Sequence, residues 1–335
     1  MNKLQKLKNQ LSSSYKKEII FNLSPASGYR SRCEFGYKNG SYTMVKDGKK
    51  VLLDHFDLPV SAIQNIMKPL LEAINTNPLI NKKLFQINFR AVNQIVLVTL
   101  IYHKQLDQNW LESARIIETK LDINVLGRSK NQLLATHLTE LEQYIDINPS
   151  YYLYQNDKTF YQPNAFLMPK MVKLVISLIE NPRDLLELYC GSGTFTIPLS
   201  YSFKNVFATE NNRESISYLK KSIHKNHIKN IFYARLSDIE LMDAYKGRIF
   251  RRLENIDLKN FNFSHVLVDP PRSGLSHNVT EILNKFENII YISCNPDTFK
   301  RDLDKLKDYR IKKLEVFDQF SNTPHLELIA LLIKR

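Results

Sequence analysis

The second half of the chain carries the strongest constraint on its fold. From about residue 168, short apolar segments alternate with helical ones. A helix over 168–180 precedes a strand at Asp184–Leu188, a glycine turn and a second helix. A strand at Asn205–Thr209, a helix over 212–226 and a short strand near 231–234 follow. After a polar stretch come a strand at His265–Val268, a helix over 278–286 and a strand at Asn288–Ser293. Strands that are apolar on both faces and separated by helices pack as a doubly wound, largely parallel sheet covered on each side. Such a sheet binds ligands where the C-terminal ends of its strands open. The expectation is an α/β fold of the Rossmann kind.

The first half reads differently. Asn39-Gly40 separates Cys33–Tyr37 from Ser41–Val45, a two-residue hairpin signal. Residues 59–76 place Ile63, Ile66, Met67, Leu70, Leu71 and Ile74 on a helical stripe interrupted by Pro69. Strands near 84–89 and 94–102 lead to a helix over 108–121. This mixture lacks βαβ alternation and reads as α+β. An aromatic stretch within 145–165 marks the boundary, giving an N-terminal domain over 1–160 and a C-terminal domain over 161–335.

Charge is concentrated at the start. The 335 residues carry a net +13, and the first fifty hold eleven Lys or Arg against three acids. Residues 1–17 read as a basic helix or frayed arm, and the excess suggests a polyanionic partner, nucleic acid first. No run approaches the roughly 18–20 apolar residues that span a bilayer, and no apolar signal core follows the basic start. Cys33, Cys190 and Cys294 are odd in number and widely spaced. Alone they build neither a disulfide framework nor a four-thiolate metal or iron–sulfur site. The expectation is a cytoplasmic monomer without membrane association or metal.

Three segments carry chemistry. In Asp184–Thr194 a strand runs into Cys190-Gly191-Ser192-Gly193, where missing side chains let a ligand approach the backbone. About twenty residues on, Glu210 ends the next strand, placed to accept ribose hydroxyls. The third glycine of a dinucleotide fingerprint is replaced by Thr196. That disfavours pyrophosphate and favours a bare adenosine such as that of S-adenosylmethionine; a nicotinamide dehydrogenase is disfavoured on the same ground.

The second segment, Val266–Leu275, delivers Asp269 to a strand end and then stiffens the chain with Pro270 and Pro271. Arg272 stands where amine-methylating enzymes place an aromatic, which argues against amine methylation. The third, Ile289–Asp297, ends a buried strand at Cys294, with Asn295 as a helix cap and Pro296 in the first turn. A thiol at a helix N-terminus is expected to favour thiolate and to act as a nucleophile. Cys190 and Cys33 read as structural. Thiolate addition to carbon 6 of a pyrimidine makes carbon 5 nucleophilic towards a sulfonium methyl, and a general base must then remove the carbon 5 proton. Glu327, in an apolar run where burial raises its pKa, is the candidate base, and His325 the weaker rival.

With these segments assembled, the chain closely resembles the bacterial tRNA (uracil-5-)-methyltransferase family. The resemblance rests on Lys83–Ile87, Tyr102-His103-Lys104, Gln162-Pro163-Asn164, Leu186–Gly191, Asp269–Gly274, Ser293–Pro296 and Phe317–Phe320 ahead of His325-x-Glu327. It implies a Rossmann-like class I methyltransferase domain with an N-terminal α+β RNA-binding domain. The implied reaction is S-adenosylmethionine-dependent methylation of the T-loop uridine (uridine 54) of tRNA to ribothymidine, with transfer-messenger RNA a possible second substrate. Cys294 is then the nucleophile and Glu327 the proton acceptor. Gln162, Tyr189, Gly191, Thr194, Glu210 and Asp269 surround the methyl donor, with Thr194 standing where the family usually has Asn. Arg30, Arg32, Phe85, His103 and Arg272 face RNA, with Gly36 where a further arginine is common. The cysteine cluster and added barrel of ribosomal-RNA relatives do not appear, which leaves 23S ribosomal RNA as the alternative substrate and a tRNA-folding chaperone as the alternative class.

Overall fold

The computed structural model describes residues 3–46, 48–53, 55–321 and 323–335. The chain opens with helix α1 (Lys3–Leu11) and strand β1 (Ile20–Leu23), followed by β2 (Arg32–Lys38), β3 (Ser41–Lys46) and β4 (Lys49–Leu52). Helices α2 (Ser61–Asn75) and α3 (Pro78–Asn81) precede β5 (Leu84–Val92), β6 (Ile95–Tyr102), α4 (Gln108–Leu121), β7 (Asn124–Ser129) and β8 (Gln132–Ala135). A hairpin of β9 (Leu141–Ile145) and β10 (Tyr151–Gln155) leads to α5 (Met168–Ser177), β11 (Asp184–Leu188) and α6 (Thr196–Leu199). Then come β12 (Asn205–Thr209), α7 (Arg213–Lys225), β13 (Ile231–Ala234), α8 (Asp238–Tyr245) and β14 (Phe263–Val268). The chain closes with α9 (His277–Leu283), β15 (Asn288–Ser293), α10 (Pro296–Lys305), β16 (Tyr309–Asp318) and β17 (Glu327–Lys334).

Strands β2–β8 form a seven-stranded sheet in the order β4-β3-β2-β5-β6-β7-β8. Only the β6–β7 pair is parallel, with α4 as its crossover. Asn39 and Gly40 both take positive φ, 51° and 75°, as a two-residue hairpin turn requires. The Ile63–Met67–Leu70–Ile74 stripe of α2 packs with Phe35, Phe89 and Trp110. Helix α2 continues through Pro69, whose ring lies on the exposed face.

The second sheet has the order β1-β16-β17-β15-β14-β11-β12-β13. From β11 the chain winds outward through β12 and β13, then crosses back to β14 and β15, so the switch point lies between β11 and β14. Strand β17 is antiparallel to both β15 and β16. A ligand crevice opens at the C-terminal ends flanking that switch.

Of the basic helix or frayed arm expected over 1–17, the helix forms as α1, and residues 3–17 are not a free arm; the first two residues lie outside the described ones. Leu7, Leu11, Tyr15 and Ile19 enter the core that also holds Phe299 and Ile311, and β1 pairs in parallel with β16. Lysines between the apolar positions hide a buried stripe. The N-terminal segment therefore belongs to the second sheet, although the expected boundary assigns it to the first domain. The two sheets meet along residues 156–167. Ser31 N donates to Pro163 O at 2.8 Å, Ala165 N to Tyr29 O at 2.9 Å, and the Arg90 guanidinium lies 4.6 Å from the Tyr161 ring.

Candidate active site

The turn after β11 is shaped for a ligand. Tyr189 takes φ 60°, which an L residue rarely adopts, and Gly191 takes φ 56°. A Cβ built on Gly191 would meet no atom within 4 Å, so the backbone there faces open space. Glu210 is fixed by two backbone donors: Gly191 N at 3.1 Å to Oε2 and Asn212 N at 2.7 Å to Oε1. Each oxygen keeps acceptor capacity for a ribose hydroxyl. A cleft of about 100 Å³, lined by Leu188, Tyr189, Glu210, Asn211, Leu236 and Asp238, opens beside it. Its walls combine Leu188, Tyr189 and Leu236 with the Glu210 and Asp238 carboxyls, the apolar and acceptor groups that a nucleoside's base and ribose hydroxyls call for. The turn runs through Thr194, and the short helix α6 starts only at Thr196. Gln162 is buried on the joining segment, its Oε1 accepting from Gln319 Nε2 at 3.1 Å.

Cys294 lies between β15 and α10, half-buried, in a cavity of about 360 Å³ with Lys3, Lys6, Arg272, Asp297, Pro324 and His325 on its walls. The Asp269–Gly274 turn is pinned beside it. Asn295 Nδ2 donates to Arg272 O at 3.1 Å, Arg301 Nη2 to Ser273 O at 2.8 Å, and Leu275 N to Asp302 Oδ2 at 2.8 Å. Asp302 is fully buried and also accepts from Tyr291 Oη at 2.8 Å. Nothing in the spacing of the sequence pointed to Asp302. Asn295 caps α10 as expected, accepting from Asp297 N at 3.0 Å.

The expected thiolate is not the resting form. Burial, and the carboxylates of Glu327 and Asp269, push the Cys294 thiol up to about 11, with Arg272 pulling it down. The cap has taken up one free N–H of α10, and two acids outweigh what remains of the dipole. Glu327 opens β17 opposite Phe317 and is buried. Burial and then the Asp269 charge hold its carboxyl well above the usual range, opposed by Arg272. Burial raises Asp269 to about 7. The direction expected for Glu327 is thus present, and Cys294, Glu327, Asp269 and Arg272 share one electrostatic environment. Burial also raises Cys33, to about 12, and Cys190, in keeping with structural thiols.

The residues expected to face RNA fall in two further places. Phe85 and His103 stack with centroids 3.8 Å apart and planes at 10° on the seven-stranded sheet. The β5–β6 ladder shifts register between Leu84 and Gln86, a bulge that re-aims Phe85. Arg30 bridges Pro59 and Asn164 and sets its guanidinium 5.3 Å from the Phe320 ring. Arg32 pairs with Glu34, and both arginines line a second cavity of about 360 Å³ with Phe35, Phe56, Phe160 and Phe320. Arg272 alone of this group stands in the Cys294 cavity.

Among known proteins, the chain is 42% identical over 322 residues to a tRNA/tmRNA (uracil-C(5))-methyltransferase of Campylobacter concisus, covering 93% of this chain and 88% of that protein. A protein of the same description from Saccharophagus degradans is 39% identical over 341 residues, covering 98% and 93%. The crystal structure of Pyrococcus abyssi tRNA (uracil-54, C5)-methyltransferase in complex with S-adenosyl-L-homocysteine superposes with a TM-score of 0.77 at 24% identity, over 99% of this chain and 82% of that one, a likeness of fold. The tRNA (uracil-5-)-methyltransferase family model matches residues 1–335, so the class I architecture and the extent of these likenesses agree, and the chain belongs to that family.

Proposed function

We propose that this protein transfers a methyl group from S-adenosylmethionine to carbon 5 of the T-loop uridine of tRNA, acting as a cytoplasmic monomer. The relatives' names include transfer-messenger RNA, whose T-loop is the natural second substrate. The observation that carries the reading is the convergence of Cys294, Glu327, Asp269 and Arg272 at the ends of the strands next to the glycine turn and Glu210.

Glu210, Tyr189, Gly191 and Thr194 would hold the adenosine end of the donor, and Gln162 and Asp269 the part nearer the reaction. Bound there, S-adenosylmethionine supplies the methyl group. The Cys294 thiol gives its proton to solvent through the open cavity as sulfur adds to carbon 6 of the uracil, and the ring electrons move towards carbon 5 and the carbonyl. After carbon 5 is methylated, Glu327 as carboxylate takes the carbon 5 proton, and the carbon–sulfur bond breaks to return the sulfur. Arg272 counters the acids that would otherwise oppose a negative sulfur. The seven-stranded sheet, with Arg30 and Arg32, would grip the T-arm, while Phe85 and His103 stack on bases unstacked from the loop.

Labelled methyl transfer to an unmodified T-arm hairpin, followed by nucleoside analysis, tests the reading and should give 5-methyluridine at the T-loop site. Labelling of ribosomal RNA alone would overturn the substrate. Cys294→Ala should bind donor and RNA yet form no covalent adduct with fluorouridine-containing RNA. Glu327→Gln should accumulate the adduct and release it slowly.

A further inference from the structure

Lys3 does something a surface lysine on a basic helix does not. Its ammonium lies 2.6 Å from Asp318 Oδ1, 2.8 Å from Thr323 O, 3.0 Å from Phe320 O and 3.2 Å from Ser321 O. An ammonium has three N–H donors, so four oxygens more than saturate it. Both partners are largely withdrawn from water, with side chains 17% and 10% exposed. Three carbonyl dipoles and a carboxylate aimed at one point repel each other unless a cation sits there. The turn between β16 and β17 is therefore closed around Lys3.

That turn borders the reaction. Thr323 Oγ1 accepts from His325 N at 3.3 Å, His325 and Pro324 wall the Cys294 cavity, and Glu327 begins the strand that follows. Helix α1 is anchored independently of the turn by Leu7 and Leu11 in the core and by Gln10 Nε2, which donates to Asp297 Oδ1 at 2.9 Å. Lys3 thus ties the turn to a rigid support.

We infer that Lys3 is a positioning residue for the proton-removal step, fixing through its four oxygen contacts the turn that walls the Cys294 cavity and leads into Glu327. This rests on the reading of Glu327 as proton acceptor. A loosened turn misplaces the carboxylate relative to carbon 5, and a misplacement of about 1 Å can cost up to ~100-fold in rate. The adenosine end of the methyl-donor cleft lies at the ends of β11 and β12, away from the turn, whereas Gln319 inside the turn donates at 3.1 Å to Gln162, which would hold the reacting end of the donor.

The test uses the full chain. Lys3→Met keeps the stem and removes the charge, and Lys3→Ala leaves space for a small cation. Both should lower kcat about tenfold or more and accumulate the covalent RNA adduct during turnover, with a smaller effect, about threefold or less, on the KM for S-adenosylmethionine. Ethylammonium should restore turnover to Lys3→Ala but not to Lys3→Met. Asp318→Asn, which keeps the shape of the anchor, should show a weaker form of the same defect. Normal turnover in both Lys3 variants overturns the proposal. So does joint loss of donor binding and turnover in Lys3→Met and Asp318→Asn, which would make the contact a requirement of folding. If Glu327→Gln turns over without adduct, the base assignment itself has failed. If Glu327→Gln stalls while Lys3→Met does not, only the role of Lys3 has.

Discussion

At the scale of single residues, the site gathers acids where burial resists their charge. Glu187, next to the last residue of β11, is raised from an ordinary 4.5 to about 8, first by burial and then by the Asp269 charge. Between those values the folded chain holds a proton that the unfolded chain has lost. Stability therefore falls as pH rises through that window and levels off above it. Glu187→Gln removes the titration. Unfolding free energies of the two proteins from urea titration should lie close at pH 5 and separate in favour of the variant by pH 8, on the order of 1–3 kcal/mol. A gap that stays constant with pH would assign the burial cost elsewhere. The residue types at the candidate site were legible in sequence because each sits where a strand ends: Glu210 after β12, Asp269 after β14, Cys294 after β15. The state of the Cys294 thiol was not, because Glu327 and Asp269 reach it from other strands.

At the scale of elements, patterning served best where period and burial agree. The parallel strands after residue 184 match their expected positions, differing by two residues at the start of β14. Helix ends moved more: α5 stops at Ser177 and α9 at Leu283. The extra strands β7–β10 were missed because their apolar runs are short and mixed with polar residues. One of these strands carries a close contact that sequence cannot show. A Cβ at Gly127 in β7 would fall 2.3 Å from the Trp110 ring and 2.5 Å from Leu106. Trp110 is held in place by its Nε1 donating to Tyr102 Oη at 2.9 Å. Gly127→Ala should destabilise the protein by about 1–3 kcal/mol through overpacking. Thermal unfolding checks this, and an unchanged midpoint would mean that the indole moves freely.

At the scale of the whole molecule, the basic start of the chain serves two purposes that charge alone does not separate. Lys6, Lys8, Lys16 and Lys17 face outward, while Leu7, Leu11, Tyr15 and Ile19 cover the α10 side of the second sheet. Removing residues 1–19 would expose Phe299 and Ile311 and strip β1 of its support. The truncated protein should lose donor binding and aggregate rather than merely bind RNA more weakly; calorimetry with S-adenosyl-L-homocysteine distinguishes these outcomes. An arm used only for RNA would leave donor affinity intact and move only the salt dependence of RNA binding. The sequence by itself determined the doubly wound sheet, the glycine turn and the three strand-end residues, because these follow from local periodicity and from backbone demands that neighbours in the chain already meet. The tertiary structure decided what long-range contacts decide: that α1 walls the Cys294 cavity, that Lys3 closes the turn before Glu327 from more than three hundred residues away, and that burial, together with Glu327 and Asp269, raises the nucleophile's thiol. Those outcomes depend on distances between strands and on shared burial, and no local pattern in the chain encodes either.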